Sequence, residues 1–145
     1  MEKSMNKKLA EIQLIILSYL LLTSVAFAHE ARLMTEAFPS DKFETRCGWL
    51  DNPTPQNVSL YDRDGEWILG TQGGYQVEGD WYLPNFKPRQ WIVTNAGGYG
   101  YGCACLRLRV DNETNEILEV KSTRARPLSA CRQDRSLKGW KDMFK

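Results

Sequence analysis

Four cysteines, a single histidine and two closely spaced carboxylates set the limits on the chemistry open to this 145-residue chain. The histidine is His29, at the expected new N-terminus, so a Ser-His-Asp triad, a Cys-His pair and a multi-histidine metal site are all excluded within the folded part. Glu78 and Asp80 lie in Gly73-Gly74-Tyr75-Gln76-Val77-Glu78-Gly79-Asp80-Trp81, among glycines and aromatics. Glycoside hydrolysis needs one carboxyl as acid and another as base or nucleophile. This pair is therefore the candidate catalytic set of an alternative reading, a small cell-wall glycan hydrolase. Asp62-Arg63-Asp64-Gly65 invites a calcium reading, but with Gly65 as the sixth loop position Leu60 becomes the first and Thr71 the twelfth, and neither is a carboxylate. A hairpin turn accounts for the motif, and neither a metal nor a cofactor is expected.

The cysteines are Cys47, Cys103, Cys105 and Cys131, which allow three pairings. Cys103-Ala104-Cys105-Leu106-Arg107-Leu108-Arg109-Val110 alternates strictly. In a strand, Ala104, Leu106, Leu108 and Val110 share one face, and the two cysteines share the other with Arg107 and Arg109. Strand residues i and i+2 are ~6.5–7 Å apart at Cα, at or beyond the usual limit for a bridge. Cys103 and Cys105 should therefore reach Cys47 and Cys131, with the choice between them open. A zinc site built from all four cysteines is disfavoured, because such ligands usually come in knuckles with two to four residues between the cysteines, and the one close pair here has a shorter gap.

The aromatic residues near the glycine-rich stretches are the candidate binding set: Trp81, Trp91, Tyr99 and Tyr101. Such side chains supply contact area at low entropic cost. The competing account is that a small domain needs aromatics to fill its core. Trp49 and Trp67 read as core residues.

These residues must be positioned by short β elements. Residues 43–50 are strand-like, with Asn52-Pro53-Thr54-Pro55 as a stop. Residues 58–61 and 66–69 flank the Asp62–Gly65 turn as a hairpin. Residues 71–89 read as loop, and 91–94 as a short strand. Asn95-Ala96-Gly97-Gly98-Tyr99-Gly100-Tyr101-Gly102 indicates close backbone approach or positive φ rather than a regular strand. Strand 103–110 turns through residues 111–115 into a partner strand at 117–122. Residues 128–135 form a short helix, and Leu137, Trp140 and Phe144 suit a terminal helical turn docking on the sheet. The expected fold is mostly β, a small antiparallel sheet or barrel-like domain with a short C-terminal helix and two disulfides.

Lys3, Lys7 and Lys8 precede an apolar run at residues 12–25, which ends in Ala26-Phe27-Ala28. These are the three parts of a secretory signal peptide. The expected organisation is a signal at 1–28, an arm at 29–43 and one domain at 44–145, in the periplasm or secreted. Contact with a membrane is expected only through an uncleaved signal. Residues 29–145 carry sixteen charges of each sign, which argues against a sequence-independent pull toward nucleic acid. Their halves are opposed, residues 29–80 at −6 and 81–145 at +6, and mutual pairing on folding is the simplest account. The oligomeric state is not readable.

Cys47-Gly48-Trp49-Leu50-Asp51-Asn52-Pro53-Thr54-Pro55, Asp62-Arg63-Asp64-Gly65-Glu66-Trp67, Tyr99-Gly100-Tyr101-Gly102-Cys103-Ala104-Cys105-Leu106 and Pro127-Leu128-Ser129-Ala130-Cys131-Arg132 resemble the signature blocks of a bacterial secreted family, domain-of-unknown-function family 4087. The resemblance covers about residues 47–137. It implies a small exported domain with these cysteines and carries no activity, ligand or catalytic residue. The functional expectation is thus a non-enzymatic binding module for an envelope protein or glycan.

Overall fold

Strict alternation builds the central strand, β5 (Gly100–Asp111). Ala104, Leu106, Leu108 and Val110 are all but fully buried, whereas Arg107 on the opposite face is exposed. The computed structural model describes residues 42–145, which fall within one unit, Pro39–Lys145. The expected signal peptide, His29 and most of the arm lie outside the described residues.

The other strands are β1 (Glu44–Thr54), β2 (Asn57–Tyr61), β3 (Glu66–Gly70), β4 (Trp91–Val93) and β6 (Glu116–Arg126). β1 pairs with β2 along one edge and with β5 along the other, from Glu44 opposite Leu108 to Asn52 opposite Gly100. β2 pairs with β3, and β5 with β6, all antiparallel. β3 then meets β6 in parallel at Ile68 opposite Glu116, where the Ile68 amide donates to the Asn115 carbonyl at 2.8 Å. The ring β1-β2-β3-β6-β5-β1 is thereby closed, with the connectivity of the five-stranded Greek-key barrels that include the OB-fold. β4 takes the stretch of the β5 edge that β6 leaves free, Trp91 opposite Gly102. The fold is mostly β, as the alternation implied, and the sheet is six-stranded.

The interior is packed by Leu50, Leu60, Trp67, Leu69, Leu106, Leu108 and Ile117, among others. A second cluster lies on the outer side of β1 and β5, where Trp49, Tyr101 and Cys103 meet Cys131, Leu137 and Phe144. Helix α1 (Leu128–Gln133) and the 3-10 segment Arg135–Trp140 bring these last residues there, so the C-terminal segment docks as its spacing suggested. Leu137 and Phe144 are buried.

The disulfides are Cys47–Cys105 and Cys103–Cys131. The ladder explains the choice, because Cys47 stands directly opposite Cys105 in the β1–β5 register. Cys103 is then left to tether α1. The bridges span 58 and 28 residues, worth roughly 4 kcal/mol each by loop-closure entropy alone.

Two local expectations change. β1 does not stop at Pro53. Its register with β2 is irregular between Asp51 and Thr54, so the missing N–H of Pro53 falls where that ladder is already interrupted. Gly100 and Gly102 belong to a regular strand, and close approach is what demands them. A Cβ on Gly100 would lie 1.9 Å from the Ile92 carbonyl oxygen, and one on Gly102 would lie 2.6 Å from Phe86 Cε1.

One end of the barrel is closed by charge. Arg46 stands opposite Leu106 on the same face of β1 as Leu50, and its guanidinium sits 3.9 Å from the Trp67 ring centroid. Arg46 Nη1 donates to Asp62 Oδ2 at 2.8 Å. Asp62, 4 % exposed, also accepts from the Asp64 and Gly65 amides and from Trp67 Nε1. Its carbonyl accepts from Trp140 Nε1 at 2.7 Å. The Asp-x-Asp-Gly motif is thus a hairpin turn whose first carboxylate is structural. Replacing that carboxylate by a carboxamide keeps one acceptor oxygen for the turn amides and the Trp67 indole but sets an NH2 group against the Arg46 guanidinium, which then holds only Glu44 and Asp64. Asp62→Asn is expected to lower stability by about 2–4 kcal/mol in urea unfolding at pH 7, and Asp64→Asn, at an exposed carboxylate, by about 1 kcal/mol or less.

Candidate functional site

A groove of about 630 Å³ lies between the loop at residues 83–86 and the β4–β5 connection, lined by Leu83, Pro84, Phe86, Trp91, Tyr99 and the carboxamides of Asn52 and Asn85, with Gly97 and Gly98 completing it. No side chain in this lining carries a charge.

Local chemistry holds the walls. The Phe86 and Trp91 rings are 4.8 Å apart at 39°. Trp91 Nε1 donates to the Gly98 carbonyl at 2.9 Å, tying the strand to the loop that follows it. Gly97 and Gly98 have φ of 80° and 85°, a backbone that side-chain-bearing residues rarely adopt. Asn95 caps this turn by accepting from the Ala96 amide, and the Thr94 amide donates to the Tyr99 carbonyl. Gln90 closes the preceding turn by accepting from the Lys87 amide. Gly102, without a side chain, leaves the space that Phe86 fills.

The four aromatics singled out from the sequence therefore divide. Trp91 and Tyr99 line the groove together. Trp81 is partly buried against the barrel interior and lies outside it. Tyr101 is a core residue, 5 % exposed, edge-on to Trp49 at 5.6 Å and against Phe144 at 5.0 Å. Its hydroxyl donates to the Lys145 carbonyl, and burial raises its pKa. The alternation of β5 explains the difference, because Tyr101 shares a face with Cys103, where the C-terminal segment docks. Phe86, Leu83 and Asn85 were not singled out from the sequence. The signal that could have found them is Gly102, whose missing side chain requires a bulky neighbour from outside the strand.

Glu78 and Asp80 are both exposed in the loop between β3 and β4, and neither lines the groove. A different carboxylate pair shares a cleft of about 230 Å³ on the outer face of β1–β3, lined by Asp51, Asn57, Ser59, Tyr61, Glu66 and Ile68 among others. Glu66 Oε1 accepts from Ser59 Oγ at 2.7 Å and from the Tyr61 hydroxyl at 2.9 Å. Burial, the hydrogen bond to Glu66 and the Glu66 charge together raise the Tyr61 pKa. Asp51 is pushed up to about 6, first by burial and then by the charge of Glu66. This pair is 15 residues apart in sequence, and only the hairpin register, with Asp51 opposite Ser59 and Tyr61 opposite Glu66, joins it. Among the described residues no group of three or more His, Cys, Asp or Glu is placed to hold a metal ion.

Arg46 pairs with Glu44, Asp62 and Asp64, and Arg109 with Glu119.

The raised Asp51 pKa fixes a sign. Between pH ~4 and ~6 the folded chain holds a proton that the unfolded chain releases, so this contribution to stability is full below pH ~4 and lost as pH rises to ~6. With solvent screening at a half-buried site the swing is about 1 kcal/mol. Asp51→Asn is expected to flatten that part of the stability–pH curve measured by urea unfolding. An unchanged slope would remove Asp51 as its source.

A family model described as "Protein of unknown function (DUF4087)" matches residues 41–138, and the chain belongs to that family. No curated protein and no solved structure matches it.

Proposed function

We propose that this member of the DUF4087 family is an exported binding module whose Phe86–Trp91–Tyr99 groove takes a neutral stretch of envelope glycan. The observation that carries the reading is the lining itself: three aromatic rings and two carboxamides with no charged side chain. Aromatic faces stack on the apolar faces of sugar rings, carboxamides both donate to and accept from hydroxyls, and a site with few polar groups among apolar ones is the usual form of a ligand groove. A charged peptide would find no counter-ion there, which favours the glycan over a protein partner.

Export supports the same reading. Both disulfides suit an oxidising compartment, and the expected signal at residues 1–28 would deliver the chain there. Among the described residues no helix is long and apolar enough to cross a membrane. The hydrolase alternative draws no support from Glu78 and Asp80, which are exposed and outside the groove.

The experiment is co-sedimentation of the purified protein with peptidoglycan sacculi, with soluble β-1,4-linked N-acetylhexosamine oligomers as competitor. Retention is expected for the native protein and competition by the oligomers. Tyr99→Ala and Trp91→Ala should each weaken binding about tenfold or more, whereas Trp81→Ala and Glu78→Gln/Asp80→Asn should leave it within about twofold. Retention that ignores both the oligomers and the groove variants would reject the reading.

A further inference from the structure

The two disulfides sit side by side but differ in exposure. Cys103 and Cys131 are 2 % and 4 % exposed and packed among Trp49, Leu137 and Phe144. In the other bridge Cys105 is 6 % exposed, but Cys47 is open to solvent. Both bridges line one pocket of about 150 Å³, together with Arg124 and Arg126. These arginines stand opposite Cys105 and Cys103 in the β5–β6 ladder, a cross-strand position where Cβ atoms lie ~4.5–5.5 Å apart. Neither forms an ion pair with a carboxylate among the described residues.

The bridges also differ in what they hold. Cys47–Cys105 joins strands already paired from Glu44 opposite Leu108 through Asn52 opposite Gly100, so the ladder keeps their register without it. Cys103–Cys131 staples α1 onto the outer face of β5, where no strand ladder holds it. One bridge is open to attack and duplicated by the backbone, and the other is shielded and has no such duplicate.

We infer that Cys47–Cys105 is a reversible thiol–disulfide exchange site, opened by a dithiol reductant while Cys103–Cys131 stays closed and the barrel stays folded. The incoming thiolate attacks Cys47 Sγ from solvent. The electron pair of the S–S bond leaves on Cys105 Sγ, whose cross-strand neighbour in the same pocket is Arg124, the kind of cationic residue that stabilises a thiolate. The second thiol of the reductant then displaces Cys47. The net change is one dithiol oxidised to its disulfide, with two electrons and two protons delivered to Cys47 and Cys105. Oxidation by a disulfide donor reverses it.

The test treats the native protein with graded dithiothreitol without denaturant, quenches with N-ethylmaleimide and reads each cysteine by peptide mass spectrometry, with near-ultraviolet circular dichroism followed in parallel. Labelling of Cys47 and Cys105 is expected at least about tenfold faster than labelling of Cys103 and Cys131, with the aromatic dichroism retained. Arg124→Gln should slow that opening about threefold or more, and Arg124→Lys should restore much of it. Equal labelling of all four cysteines, labelling only as the dichroism is lost, or rates indifferent to Arg124→Gln would each overturn the inference.

Discussion

Asp62 gathers the hairpin, the barrel end and the chain terminus into one hydrogen-bonded knot. Its carboxylate accepts from two turn amides, from the Trp67 indole and from Arg46, and its carbonyl holds the Trp140 indole. A carboxylate at 4 % exposure would be costly without these partners. Each partner also belongs to a different part of the architecture. Trp67 is a wall of the barrel interior, Arg46 covers that interior at its end, and Trp140 brings the C-terminal segment alongside Tyr61. Breaking the knot would expose an interior end and loosen the packing around Trp49 and Tyr101 together.

The loop after β3 helps to fill the core through Val77, Tyr75 and Trp81 before it reaches the groove. Ring closure rests on one β3–β6 pair, Ile68 opposite Glu116, and the far part of the long excursion between β3 and β5 forms the groove. That excursion is anchored at points the barrel provides: β4 on the edge of β5, Phe86 over Gly102, and Asn95 Nδ2 donating to the Pro53 carbonyl at 3.3 Å. Caps and glycine turns at residues 95–98 hold the groove in shape, and under the proposed binding role that lowers the entropy lost on binding. The acidic cleft on β1–β3 and the arginines at the disulfide pocket lie on other parts of the barrel, so the surface is chemically divided: neutral and aromatic, acidic, and basic.

Much of the scaffold was legible in the sequence because it rests on period and sterics. The alternation from Cys103 to Val110 gave the central strand and its buried face, and the same spacing excluded a Cys103–Cys105 bridge. The Asp62–Gly65 turn gave the hairpin, and the spacing of Leu137 and Phe144 gave the docking of the terminus. The pairing of Cys47 with Cys105 needed the β1–β5 register, which no local pattern encodes. The groove was half legible. Trp91 and Tyr99 were visible as loop aromatics, but Tyr101 carries the same local signature and is buried, because a segment some forty residues later covers its face. Asp51 and Glu66 were invisible for a related reason: they come together only through a cross-strand register.

The most direct test of the account is a heteronuclear NMR titration of the protein with soluble neutral peptidoglycan fragments, read at the five tryptophan indoles. The Trp91 indole and the backbone amides of residues 83–99 should shift, while the indoles of Trp49, Trp67 and Trp140, held in the packed clusters and at Asp62, stay in place. Shifts centred on Asp51, Tyr61 and Glu66 or on Arg124 and Arg126, or no shift at saturating fragment, would contradict it.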